Sequence, residues 1–167
     1  TYFAKHAWSN TTLGDLLIEL EAASGRDLRT WAQLWLETAG VNVLTPQIDS
    51  DDRGLVSAAS IAQTCASGDQ QLRPHRLVVG TYDVIDGAFV RTGRHELDVD
   101  GENTPLPMLI GQPRPALVLV NDEDLAYAKI RFDERSLATV LAHPRGFAET
   151  LPHSLAVATV WDMTRDG

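Results

Sequence analysis

The chain has 167 residues, 44% hydrophobic and 22% charged, enough to bury a core in one domain or one and a half. With 14 Lys plus Arg against 23 Asp plus Glu, its formal charge is −9, which excludes a binder of nucleic-acid backbones or anionic membranes. A single cysteine, Cys65, excludes a disulfide framework and a Cys-based zinc finger, and no apolar run approaches a membrane span. No leader peptide is read at the start, so a cytoplasmic protein is expected.

Residues 1–40 read as helical. Leu13, Leu16, Leu17, Leu20 and Ala23 fall on one face of an amphipathic helix. Thr11 or Thr12 can cap it, with Asp15 three residues beyond Thr12. Gly25 ends the helix and Asp27 is expected to cap the next, whose apolar face is Leu28, Trp31, Leu34 and Trp35, with Gly40 as its C-terminal glycine. A helical hairpin is expected.

Residues 41–132 switch to period two. Strands are expected at Val43 and Leu44 before Pro46, over Leu55–Ile61, over Arg76–Val84 and over Phe89–Val99. Asp86-Gly87 is a hairpin turn signal and Asp100-Gly101 a further turn. Cys65–Pro74 reads as a polar loop, and residues 102–115, with four prolines, as an edge or irregular segment. Ala116–Val120 is continuously apolar, as in a strand covered on both faces, and Tyr127–Phe132 alternates. Together these predict an all-antiparallel sandwich with Ala116–Val120 central. Residues 133–167 return to helix. Asp133 caps a segment stopped by Pro144. A last helix has Pro152 in its first turn and Leu155, Ala158, Val160 and Trp161 on its apolar face.

The fold class is therefore mixed α and β, an antiparallel β-sandwich flanked by an N-terminal helical hairpin and C-terminal helices.

Few residues suggest chemistry. His95-Glu96 begins a zinc-peptidase motif, but position 99 is Val and the segment reads as a strand. His95 then shares a strand face with Phe89, Leu97 and Val99 and is expected to be partly buried and hydrogen-bonded. Glu96, Asp98, Asp100 and Glu102 read as a solvated acidic edge and not as a Ca²⁺ loop. Asp49, Asp51 and Asp52, and Asp122, Glu123 and Asp124, read as turn residues. His6, His75, His95, His143 and His153 show no helical metal spacing, Cys65 has no nearby His, and the chain has neither a Gly-x-Ser-x-Gly elbow nor a Gly-rich phosphate loop. Trp31, Trp35 and Trp161 read as core aromatics. No catalytic, substrate-binding or metal-ligating residue is assigned.

Several blocks resemble one family. Tyr2-Phe3-Ala4-Lys5-His6-Ala7-Trp8, Asn10-Thr11-Thr12-Leu13, Ala23-Ser24-Gly25-Arg26-Asp27-Leu28 and Trp35-Leu36-Glu37-Thr38-Ala39-Gly40 resemble the last catalytic-domain helices of the aminopeptidase N family of zinc metallopeptidases. Arg73-Pro74-His75-Arg76-Leu77, Val79-Gly80, Tyr82-Asp83 and the run from Leu119 to Lys129 resemble its β-sandwich domain. Asp133-Glu134-Arg135-Ser136-Leu137 and the run from Trp161 to Gly167 resemble the opening of its C-terminal helical domain. The likeness is greatest to bacterial members. Relatives often have Arg where this chain has Ala156-Val157, a departure at any domain contact made there.

The resemblance implies a fragment of a four-domain exopeptidase that removes N-terminal residues with a zinc-bound water. It divides the chain into 1–40, 41–132 and 133–167, and implies that the zinc and substrate-amine motifs lie before residue 1. The chain alone should then carry no cofactor and be inactive, with zinc in the parent enzyme. Its partners would be the rest of that enzyme, with no nucleic acid and no membrane. Its helices are expected to fold back on the sandwich, self-associate or pair with another copy. The rival reading is a free-standing β-sandwich module binding protein or carbohydrate.

Overall fold

A computed structural model describes residues 2–66 and 71–166. Part of the expected Cys65–Pro74 loop, residues 67–70, lies outside the described residues. The chain divides into two compact units, Thr1–Ala39 and Gly40–Gly167.

The first unit holds α1 (Tyr2–Lys5), α2 (Leu13–Ser24) and α3 (Arg29–Leu36). The cap of α2 is as its sequence predicts. Asp15 N–H donates to Thr12 Oγ1 at 3.3 Å, and Thr12 N–H donates to Asp15 Oδ2 at 2.9 Å. Gly25, at φ +69°, closes the helix with its N–H on the Glu21 carbonyl. The start of α3 differs from expectation. Leu28 is its N-cap, without a side-chain bond, because Asp27 accepts the Arg29 N–H while Glu21 Oε1 accepts the Leu28 N–H. The helix also ends at Leu36, ahead of Gly40. Ala32 is the one buried residue among the described residues of this unit, and Leu13, Leu16, Leu20 and Trp31 stay exposed.

The second unit begins with β1 (Asn42–Ser50), β2 (Val56–Cys65), β3 (His75–Ile85) and β4 (Ala88–Val99). It continues with β5 (Asn103–Pro105), β6 (Leu117–Val120) and β7 (Lys129–Ile130). They form two sheets, ordered β5-β2-β1-β7 and β4-β3-β6. All pairs are antiparallel except β1 with β7, which is parallel, so the all-antiparallel expectation is corrected. Strand β7 is also shorter than the expected Tyr127–Phe132. The Asn121 side chain clamps both the N–H and the carbonyl of Ala126, holding the preceding residues in a loop.

Pro46 lies inside β1 and does not stop it. The Leu44 carbonyl accepts from Arg131, on the β7 side. Two residues on, Pro46 turns its nitrogen to that same side, beyond the end of β7, where no ladder bond is lost. Asp86 and Gly87, at φ +52° and +79°, make the tight hairpin turn that their sequence predicts.

Inside β4 the register shifts. Thr81 faces Gly93 while Tyr82 faces Arg91, so Thr92 is an extra residue. The bulge turns Phe89 to the opposite sheet face from His95, correcting the shared face expected from strict alternation.

Leu44, Ile48 and Ile61 of one sheet meet Leu77, Val79, Val99, Val118 and Val120 of the other. Each such side chain contributes roughly 1.5–3 kcal/mol when fully buried. Leu106 and Leu109, on the proline-rich segment after β5, plug this core. A second apolar layer covers the outer face of the β4-β3-β6 sheet. Tyr82, Phe89, Leu117 and Leu119 pack there with Phe132, with Val140 of α4 (Glu134–Ala142) and with Ala156 of α5 (Thr150–Asp166). The C-terminal helices thus fold back on the sandwich.

This explains the apolar run of β6 and corrects its position. The strand lies at a sheet edge, with Val118 and Val120 facing the inner core and Leu117 and Leu119 facing the helices. Its free edge is covered by α4, where Ser136 Oγ accepts the Val118 N–H at 3.0 Å. Asp133 caps α4 at Ser136 and also pairs with Arg114 at 2.6 Å. Arg114 in turn donates to the Ile48 carbonyl, so one carboxylate ties helix, segment and strand. Helix α5 buries Pro152, Ala156 and Thr159; of its expected apolar face, Leu155 and Val160 pack against the same layer, while Ala158 and Trp161 are exposed. Trp161 is 66% exposed. The Asp166 carboxylate, at the far end of α5, binds Lys129 at 2.6 Å and also Arg131.

Candidate functional site

Among the described residues, the most buried charged side chain lies where β6 ends. Asn121 and Asp124 both take positive φ, +62° and +53°, and their turn drops Asp122 beneath β3. The Asp122 N–H donates to the Val78 carbonyl at 2.9 Å. Its carboxylate, 3% exposed, accepts the Tyr82 hydroxyl at 2.7 Å and pairs with Arg91 at 2.6 Å. Glu123 beside it takes Arg94 through both oxygens, at 2.6 and 2.7 Å. Burial pushes Asp122 up from the usual carboxylate range, while Tyr82 and Arg91 pull it back. Burial, and then the Asp122 contact, push the Tyr82 hydroxyl far above its ordinary value. The hydroxyl therefore stays protonated and the carboxylate is occupied on both oxygens. Such a pair is a lock and not a nucleophile with its base.

The reading of Asp122 as a solvated turn residue is thus corrected, although Asp124 is exposed as expected. One signal pointed to the site. Gly80 interrupts an otherwise bulky strand, and an isolated strand glycine marks a close approach.

A second polar cluster lies at the start of β1. The Asn42 side chain donates to the Gln71 carbonyl at 2.9 Å, accepts the Arg73 N–H at 3.1 Å and faces His75 Nε2 at 3.3 Å. Gln63 donates to the Arg73 carbonyl at 3.1 Å. Because Nε2 faces an oxygen, it carries the His75 proton. Burial, and then the Arg73 charge, pull His75 from 6.5 down to about 4. Here the folded value lies below the unfolded one. Its stabilising contribution is complete above the unfolded value and is lost as pH falls from 6.5 through about 4. The expected loss is about 3 kcal/mol. Urea melts of wild type and His75→Gln across this window check it, since the carboxylates titrate in both and only the difference reports His75. Equal slopes would refute the assignment.

The remaining histidines lie apart. His6 lies 5.0 Å from the Tyr2 ring, His143 meets the edge of Phe89, and His153 stacks on Phe147. The half-buried His95 side chain makes no hydrogen bond among the described residues, contrary to expectation. Glu96 and Asp98 are exposed as expected and are paired with Arg76 at 3.0 Å each. Asp51 accepts the Arg53 and Leu55 N–H groups, as a turn residue does. Cys65 is half-buried, with Sγ 3.6 Å from Asn42 Nδ2. Among the described residues no group of three or more His, Cys, Asp or Glu is placed to hold a metal ion, so these residues offer no fit for zinc. No helix among them is long and apolar enough to cross a membrane.

No family model matches the sequence. A curated relative, "Aminopeptidase N" of Streptomyces lividans, is 53% identical over 173 residues, spanning 99% of this chain and 20% of the relative. A crystal structure of Legionella pneumophila aminopeptidase A in complex with aspartic acid superposes with a TM-score of 0.61 at 18% identity. That match covers 98% of this chain and 19% of the other, and shows a shared fold.

Proposed function

The chain belongs by sequence to the aminopeptidase N family, and from that premise we propose that it is a non-catalytic spacer region of a zinc-dependent aminopeptidase. The observation that carries this is the 53% identity along 99% of the chain, set against only 20% of the relative's length. In this reading residues 1–40 are the last helices of the catalytic domain, 41–132 its β-sandwich domain, and 133–167 the start of its C-terminal helical domain. The intact enzyme removes N-terminal residues from peptides in the cytoplasm. Zinc, held by parts of the enzyme outside this chain, supplies the activated water there.

The physical features suit a spacer. Two sheets share a continuous apolar core, and helices cover the outer face of one of them. The buried charges are engaged within the unit, as at Asp122 with Tyr82 and Arg91. Side chains so occupied stiffen a scaffold.

Incubating the chain with aminoacyl p-nitroanilides and analysing it for metal is the direct test. The expected result is no turnover and no stoichiometric zinc. Turnover, or bound zinc lost in His95→Ala, would overturn the reading.

A further inference from the structure

The helices that cover the sandwich carry an apolar face of their own on their outer side. Leu141 of α4 is 60% exposed, and Val157 and Trp161 of α5 are 54% and 66% exposed. Leu141 and Val157, on different helices, line a cleft of about 140 Å³ together with Val140, Pro144 and Val160. His153 is the one polar side chain among the described residues that line it. Trp161 stands one turn beyond Val157 on α5. From Thr150 through Trp161 that helix has no Asp, Glu, Lys or Arg, although such residues make up 22% of the chain. A helix face left to solvent is normally charged or polar, so this one has the character of a covered face. Scattered apolar residues need no explanation, but these adjoin one another across two helices.

Resting on the spacer reading, we infer that this cleft receives an amphipathic helix from the part of the parent enzyme that lies outside this chain. The walls select a helix. Both are helices whose backbone groups bond internally, so an extended peptide laid there would find no N–H or C=O to pair with. A helix brings its own hydrogen bonds and needs only an apolar stripe. Ser154 and Ala158, exposed on the same face of α5, are small and let its backbone approach closely. The area selects a tethered helix. The stripe from Leu151 to Trp161 is about 15 Å long, and two helices side by side are about 20 Å across. The resulting area of about 300 Å² is well below the roughly 800 Å² per partner of a stable complex. A second copy, or any other free protein, would bury too little to stay bound. A segment of the same polypeptide arrives at millimolar effective concentration and needs far less area. The relative of which this chain spans 20% has length enough to supply one. The cleft has about the volume that accepts a benzene ring, so one leucine or phenylalanine side chain fills it. Neighbouring apolar residues of the incoming helix then rest on Leu141 and Trp161.

The test places Val157→Cys in this chain and in the parent enzyme, and follows alkylation by iodoacetamide at position 157 by peptide mass spectrometry. Labelling is expected to be fast in this chain and at least about tenfold slower in the parent enzyme, as for a site that reacts only on local opening. A photo-crosslinking p-benzoylphenylalanine at the same position of the parent enzyme is expected to join it to a segment of its own polypeptide with apolar residues at helical spacing. Equal labelling in the two proteins, a crosslink between two polypeptides, or a crosslink to a strand or loop would each overturn the inference. Val157→Asp supplies a second reading that does not depend on labelling. Because Val157 is exposed here, this chain is expected to melt unchanged, while residues 150–166 of the parent enzyme exchange their amide hydrogens faster. Unaltered exchange in the parent enzyme would overturn the inference as well. The spacer reading fails separately, through a parent protein that shows no aminopeptidase turnover whatever the labelling at position 157.

Discussion

Gly80→Ala is expected to lower the unfolding free energy of the 40–167 unit by about 3–5 kcal/mol, the usual cost of breaking a buried charge pair. The added Cβ would stand 2.0 Å from Asp122 Oδ2, 2.6 Å from its Cγ and 2.9 Å from the Tyr82 ring. An exposed carboxylate could swing away, but Asp122 is short, buried and held by its own N–H on Val78. Clearing the methyl therefore means parting Asp122 from Tyr82 and Arg91 and leaving polar groups unpaired. Chemical denaturation of the two proteins measures the difference. A loss below about 1 kcal/mol would mean that the lock yields without breaking.

Val118→Asp is expected to cost about 4 kcal/mol or more, because it buries a carboxylate with no partner. Val118 is 1% exposed and faces the inter-sheet core, while its N–H is held by Ser136. The strand's place at the sheet edge does not soften this, since α4 closes that edge. Thermal melting checks the expectation, and a midpoint within a degree or two of wild type would show that β6 yields to solvent.

Features set by neighbouring residues were legible in the sequence. The Thr12–Asp15 box, the Asp86-Gly87 turn and the Asp133 cap each depend on chemistry within four residues, and each is present. The family was legible for a different reason, because blocks of residue identities spread along the chain match together. Features set by tertiary partners were not legible. Pro46 is tolerated only because β7 is too short to meet its nitrogen. The stripe buried on α5 is chosen by the aromatic layer beneath it and not by the bulk of Trp161. The Thr92 bulge inverts the face of Phe89, which strict alternation cannot anticipate. Asp122 looked like any acidic turn residue because its partners come from two other strands.

The parallel pairing of β7 with β1 also bears on the order in which the chain acquires its structure. The β3–β4 hairpin closes through a two-residue turn and is entropically cheap, so it can form early. Strand β1, emerging first from a ribosome, waits for β7 until most of the sandwich has been synthesised. During that interval one flank of β1 has unmet backbone groups, and Pro46 is the residue on that flank that cannot donate to a stray strand. The same proline that the finished ladder tolerates thus leaves any stray strand on that flank one backbone donor short.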